Sequence, residues 1–240
     1  MVANKNKTKS KNKKEKPFKG LVRVFWLLFV TGLLSFSSLF VIAALGYLGE
    51  MPDLDQLENP KTKLATQIIS SDGVVLGKFY VNDNRTPISY EALPTNLVNA
   101  LIATEDERFF THSGIDLKGT LRAIFYLGKK GGASTISQQL ARQLFVGVRS
   151  RNKTEALLQK FKEWVLAVKL ERSYTKKEII AMYLNVYDFG YSGDGIQSAS
   201  KIYFNTTPQK LSIDQSAILV GMLKNSSYFN PIRRASRVEQ

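Results

Sequence analysis

One stretch of this chain constrains its architecture more than any other: from Val24 to Gly49, VFWLLFVTGLLSFSSLFVIAALGYLG, no residue is charged. A bilayer core takes about 20 apolar residues at about 1.5 Å each, so this run is long enough to span with some tilt. A cleaved leader has a shorter apolar core followed by a small-residue site, whereas this run ends in Tyr47-Leu48-Gly49-Glu50. A retained anchor is expected. Ahead of it, residues 1–23 carry nine Lys/Arg against Glu15 alone, a local +8 of the net +14. The tail is Lys/Asn-rich with no apolar period, which predicts disorder. The positive-inside rule explains its charge without a nucleic-acid partner and places the tail in the cytoplasm. The expected organisation is a basic tail (1–23), a transmembrane anchor (24–49), a connector (50–63) and an extracytoplasmic domain (64–240).

That domain has ordinary globular composition, with 44% hydrophobic and 22% charged residues over the chain. With no cysteine and one histidine, His112, thiolate metal sites, disulfides, a cysteine nucleophile and multi-histidine cages are excluded. ATQIIS, SDG and VVLGKFYV predict a β-hairpin turning at Asp72-Gly73. From Pro94 onward the periodicity is helical, with helices expected at about 94–105, 115–127, 135–145, 153–171, 176–187, 194–203 and 212–223. The fold class is therefore mainly α with a small β-hairpin, preceded by one transmembrane helix.

Three segments carry candidate chemistry. Glu105-Asp106 falls at the last turn of the first domain helix, before Phe109, Phe110, His112 and Gly114. The negative end of a helix dipole and apolar neighbours both favour protonation of a carboxylate, as suits a general acid or base; a plain solvated helix end has the same sequence. In GGASTISQQLARQLF, Thr135 and Gln138 have capping-box spacing. The free N–H groups of such a helix start suit an anion, with Gln138, Gln139 and Arg142 as further donors, although a simply capped helix reads alike. In the helix at 153–171, Leu157, Leu158, Phe161, Trp164, Val165 and Val168 form a predicted apolar face. Ala156, Lys160, Glu163 and Ala167 run along its edge and either line a groove or make a surface ion pair. Two glutamates on separate segments are what two-carboxylate glycosyl chemistry uses.

Taken together these segments resemble the peptidoglycan glycosyltransferases, the lysozyme-like domains of class A penicillin-binding proteins and their monofunctional relatives. Glu105-Asp106-x-x-Phe109-x-x-His112-x-Gly114 is similar to the family's first motif, and Gly132-x-Ser134-Thr135-Ile136-x-Gln138-Gln139-Leu140 to the second. Lys160-x-x-Glu163 is similar to the core of the third, and Lys177-x-x-Ile180-x-x-Tyr183-Leu184-Asn185 to the fourth. The resemblance implies polymerisation of lipid II into β-1,4-linked glycan strands at the bacterial cytoplasmic membrane. Glu105 would be the general base on the acceptor hydroxyl, and Glu163 would act near the donor pyrophosphate and any Mg²⁺ or Mn²⁺ there. Ser134, Thr135, Gln138, Gln139, Arg142, Lys160 and Asn185 would bind substrate, while Asp106, Phe109, His112 and Gly114 would be structural. The implied partners are lipid II, the growing strand, the membrane and other cell-wall synthesis proteins.

Gln159 stands where the family usually has arginine. The chain stops at Gln240, where the family's fifth, arginine-containing motif would begin, so a C-terminally incomplete domain and a weakened polymerase are expected. A membrane-anchored glycan-cleaving enzyme and an inactive cell-wall scaffold are the competing functions. Leu121-Arg122-Ala123-Ile124-Phe125-Tyr126-Leu127-Gly128-Lys129-Lys130 mixes large apolar residues with cations, as does an interfacial segment; a core helix ending in a loop reads equally well.

Overall fold

The structure, a computed structural model, describes residues 18–47, 52, 56, 66–79, 85–126, 129 and 132–238. The tail before Phe18, most of the 50–63 connector, and Leu127, Gly128 and Lys130 lie outside the described residues. The chain divides between Ile42 and Ala43 into two units. The first consists of most of α1, Phe18–Ala44, a helix long and apolar enough to cross a membrane. It begins six residues before the uncharged run, because Lys19 and Arg23 are good helix formers. It ends before Gly46, which is left-handed at φ 82.

In the second unit, β1 (Thr66–Ile69) and β2 (Val75–Phe79) pair antiparallel, Thr66 opposite Phe79, with an irregularity between Ile68 and Ile69. Gly73, at φ 84, supplies the left-handed turn residue. The helices that follow are α2 (Thr95–Glu105), α3 (Leu117–Phe125), α4 (Ile136–Ala141), α5 (Lys153–Ser173), α6 (Lys176–Val186), α7 (Gly195–Phe204), α8 (Ile213–Lys224) and the short α9 (Ala235–Val238). α4 runs on into a π-helical turn, Arg142–Val146, ended by left-handed Gly147. Capping boxes start α6 (Thr175 with Glu178) and α8 (Ser212 with Gln215). One core joins Leu97 and Leu101 of α2, Leu140 of α4, Leu166 and Leu170 of α5, Ile180 and Tyr183 of α6, and Leu219 of α8.

The buried stripe of α5 is not the predicted one. Leu157 is 56% exposed, and Leu158, Trp164, Val165 and Val168 are half-buried. The fully covered residues are Phe161, Glu163, Leu166, Ala167 and Leu170. The cause is tertiary. Gly114, left-handed at φ 91, sits so close to α5 that a Cβ there would meet the backbone of Ala167 at 2.9 Å. Ala167 is thus the seat of a loop rather than the lining of a groove. α3 buries only Gly119 and exposes Leu117, Leu121, Ile124 and Phe125, so it is not a core helix.

Candidate active site

The site is organised by the segment that follows α2. Asp106 leaves the helical region at φ −159, ψ 73, which ends the helix at Glu105 and turns the Asp106 side chain inward. Its carboxylate is buried between His112, whose Nε2 lies 3.0 Å from both oxygens, and the backbone N–H of Ile136, which donates to Oδ2 at 3.0 Å. Gly114 N–H donates to His112 Nδ1 at 3.2 Å, so the imidazole carries its proton on Nε2 and donates it to Asp106. The start of α4 is therefore occupied by an internal carboxylate instead of being left open to a ligand.

The expected capping box at α4 is half realised. Thr135 Oγ1 accepts from Gln138 N–H at 3.2 Å and donates to Gly114 C=O at 2.7 Å. The Gln138 side chain does not reach back to the cap. Its Nε2 donates to the same Gly114 carbonyl at 3.1 Å, and its Oε1 accepts from Lys160 Nζ at 2.9 Å and Trp164 Nε1 at 3.2 Å. An interior full of acceptors and donors competes successfully for that amide. Phe109, fully buried, stacks edge-on with Phe110 and His112 and lies under the Lys176 ammonium, 4.2 Å from its centroid. Lys176 also donates to His112 C=O (2.7 Å) and Glu171 (2.8 Å), and Glu171 in turn accepts from Ser137. Sequence reasoning missed this second clamp, whose members lie outside the recognisable spacings.

Glu105, half-buried, accepts from Gln139 Nε2 at 2.8 Å, and Gln139 Oε1 accepts from Tyr183 Oη at 3.0 Å. It opens on a cavity of about 450 Å³ whose lining includes Thr104, Arg108, Asp116, Arg122, Ser134, Thr135, Gln139 and Lys224. Burial pushes the Asp116 carboxyl up, but Arg108 and the Gly119 N–H hold it below the usual range. Arg108 and Asp116 form an ion pair on the cavity wall.

Behind Ser134 lies Lys160. Its ammonium donates to Ser134 Oγ, Gln138 Oε1 and Glu163 Oε2, each at 2.9 Å, which uses all three protons. Glu163 is 2% exposed. Burial pulls the Lys160 pKa down, against the opposing pull of Glu163. Lys160 occupies the Ser134 oxygen as a donor, so the Ser134 hydroxyl, which lines the cavity, keeps its own proton to donate.

Arg142 and Asn185 stand apart from that cavity. Arg142 lines a second one of about 410 Å³ with Arg85, Gln143, Val186, Tyr187 and Asp188. Asn185 exchanges two hydrogen bonds with the Ile88 backbone, accepting at 3.1 Å and donating at 2.8 Å, and so ties the segment before α2 to α6. Among the described residues no three His, Asp or Glu side chains converge to hold a metal, and the Glu163 carboxylate is engaged by Lys160.

A family model described as Transglycosylase matches residues 72–240. The chain is 36% identical over 192 residues to penicillin-binding protein 1A of Escherichia coli (strain K12), covering 78% of this chain and 22% of that protein. It is 38% identical over 172 residues to penicillin-binding protein 1F of Bacillus subtilis (strain 168), covering 70% and 23%. Penicillin-binding protein 1A of Neisseria cinerea is 37% identical over 215 residues, covering 88% and 26%. The matched region spans about a quarter of the length of these relatives.

Proposed function

Since this chain belongs to the transglycosylase family, the peptidoglycan glycosyltransferase domain of class A penicillin-binding proteins, we propose that it polymerises lipid II into β-1,4-linked glycan strands on a lysozyme-like fold. The observation that carries the reading is the Glu105 carboxylate, oriented by Gln139 and facing a cavity walled by hydroxyls and cations. In the reaction, the acceptor sugar's 4-oxygen attacks the anomeric carbon of the donor. The new C–O bond forms as the bond to the lipid pyrophosphate breaks, and configuration inverts. The acceptor's proton passes to Glu105.

The leaving pyrophosphate is already anionic and needs positive charge and donors rather than a proton. Ser134, polarised by Lys160, supplies a donor; Arg142, facing the neighbouring cavity with Arg85, supplies cationic charge. Glu163 keeps Lys160 charged despite its burial, and so serves the donor side through that ammonium. Thr135 and Gln138, held by Gly114, fix Ser134 in place. Asn185 acts by anchoring the segment before α2. Mg²⁺ or Mn²⁺, if used, would supply further positive charge to the leaving pyrophosphate, and no step here runs through it.

The substrate is lipid-linked, so the reading includes single-pass anchoring in the bacterial cytoplasmic membrane with the domain outside. The growing strand and other cell-wall synthesis proteins are its partners. The test is Glu105→Gln, an isosteric amide that cannot accept the proton. General-base catalysis is worth about 10²–10⁴-fold, so lipid II polymerisation in detergent falls at least a hundredfold while thermal unfolding is unchanged. A variant that keeps more than about a tenth of the wild-type rate refutes the assignment.

A further inference from the structure

Gln139 faces two partners at once, and the two are not equivalent. An ionised carboxylate only accepts hydrogen bonds, so Gln139 must turn its NH₂ toward Glu105, as it does at 2.8 Å. Its carbonyl oxygen then points back into the protein, where Tyr183 Oη donates to it at 3.0 Å. The two ends of a glutamine amide have nearly the same shape. A half-turn of the terminal torsion would aim oxygen at the Glu105 carboxylate, a repulsive contact at the reacting group. Only hydrogen bonding selects between the two orientations.

We propose that Tyr183 is a positioning residue for glycosyl transfer: its buried hydroxyl holds the Gln139 amide in the orientation that presents N–H to Glu105. The proposal rests on the reading of Glu105 as the base. Tyr183 touches no substrate, being fully buried. It projects from α6, which packs directly on α4, the helix that carries Gln139. The chain of three side chains therefore spans three sequence segments on rigid elements. Burial, and then the nearby Glu105 charge, push the Tyr183 phenol well above its ordinary range. The hydroxyl accordingly stays protonated and available as a donor. Its ring also packs beside Tyr187 at 6.1 Å, a contact that a phenylalanine would keep.

The experiment uses the full chain in detergent with lipid II. Misplacing a reacting group by about 1 Å costs about 10²-fold, so Tyr183→Phe is expected to lower kcat about 10- to 100-fold. KM stays within about twofold, because only the orientation of the base has changed. In a Gln139→Ala background, where no amide remains to be oriented, Tyr183→Phe costs less than about twofold more. Losses that multiply in the double variant, or a Tyr183→Phe enzyme with wild-type kcat, overturn the proposal. Should the phenylalanine variant unfold, 4-aminophenylalanine at position 183, which restores a donor at the same place, decides the matter. Rescue to within about threefold of wild type is expected, and a folded protein down more than tenfold overturns the idea. The two readings fail differently: an active Glu105→Gln enzyme removes the base itself, whereas an inactive one beside a fully active Tyr183→Phe enzyme removes only the positioning role.

Discussion

Glu163 is a buried carboxylate beside the Lys160 ammonium, and the physics of such pairs is asymmetric. Removing one partner strands the other charge in the interior and costs about 3–5 kcal/mol, whereas replacing both by apolar residues is often close to neutral. Lys160→Met should therefore destabilise the folded chain by about that amount in detergent urea titrations, and Lys160→Met/Glu163→Met should recover most of the loss. Neither variant should polymerise lipid II, because Ser134 has lost the ammonium behind it. A double variant as unstable as the single one would mean that the carboxylate is held chiefly by other groups. Tyr187 gives a prediction in pH. Burial, followed by the Glu105 charge, pushes its phenol from 10.0 to about 12. A group whose folded pKa is raised contributes stability that is complete below its unfolded pKa and is lost as pH rises through the folded one. Stability should thus decline between pH 10 and about 12, and less steeply in Tyr187→Phe, read from urea midpoints at each pH. Identical slopes in the two proteins would count against the burial of that phenol.

At the scale of elements, the helices were readable because Gly-rich and polar breaks separate strongly periodic runs; α2, α6 and α8 fall within a residue of their expected bounds. The hairpin was readable from Asp72-Gly73. What the sequence could not disclose was decided by contacts distant in the chain. The buried face of α5 is chosen by the loop at Gly114, and the Gln138 side chain by Lys160 and Trp164. The π turn, closed by Gly147 N–H on Arg142 C=O at 2.8 Å, re-aims Arg142 toward a second cavity, and no periodicity announces it. The motif resemblance named the candidate site residues, of which Glu105, Ser134, Thr135 and Gln139 line one cavity while Arg142 lines another. Their physics was not legible, since Glu105 and Asp106 share the sequence of an ordinary solvated helix end. Gly114 makes the dependence testable. A Cβ there would meet α5 backbone at 2.9–3.0 Å, at φ 91 where side chains are strained. Left-handed strain costs about 1–2 kcal/mol and overpacking about 1–3, so Gly114→Ala should destabilise by about 2–5 kcal/mol. It should also depress polymerisation, because the displaced Gly114 carbonyl holds both Thr135 and Gln138. A melting temperature equal to wild type would show that the loop yields without cost.

For the whole molecule, the proposed function raises the question of how the domain would reach a substrate whose tail is in the bilayer. α3 offers a route within the domain. Leu117, Leu121, Ile124 and Phe125 are exposed, Phe125 at 80%, alongside exposed Lys118 and Arg122. Asp116, just before this helix, and Arg122 within it line the Glu105 cavity, so α3 runs beside the pocket while its exposed apolar side chains lie outside the lining. Apolar bulk interleaved with cations is the composition of a segment that settles into an anionic interface, and burying a large apolar side chain is worth about 1.5–3 kcal/mol. Leu121→Asp/Phe125→Asp removes two such contributions and adds two negative charges that anionic lipids repel. With lipid II embedded in anionic vesicles, polymerisation by the full chain should fall at least about tenfold, the equivalent of about 1.4 kcal/mol. With a short-chain, water-soluble lipid II analogue, the same variant should run close to the wild-type rate, since Glu105, Gln139 and the Lys160 cluster are untouched. An equal loss on both substrates would make α3 a wall of the pocket and nothing more. An unchanged rate on both would show that the proposed reaction does not depend on a membrane contact of α3.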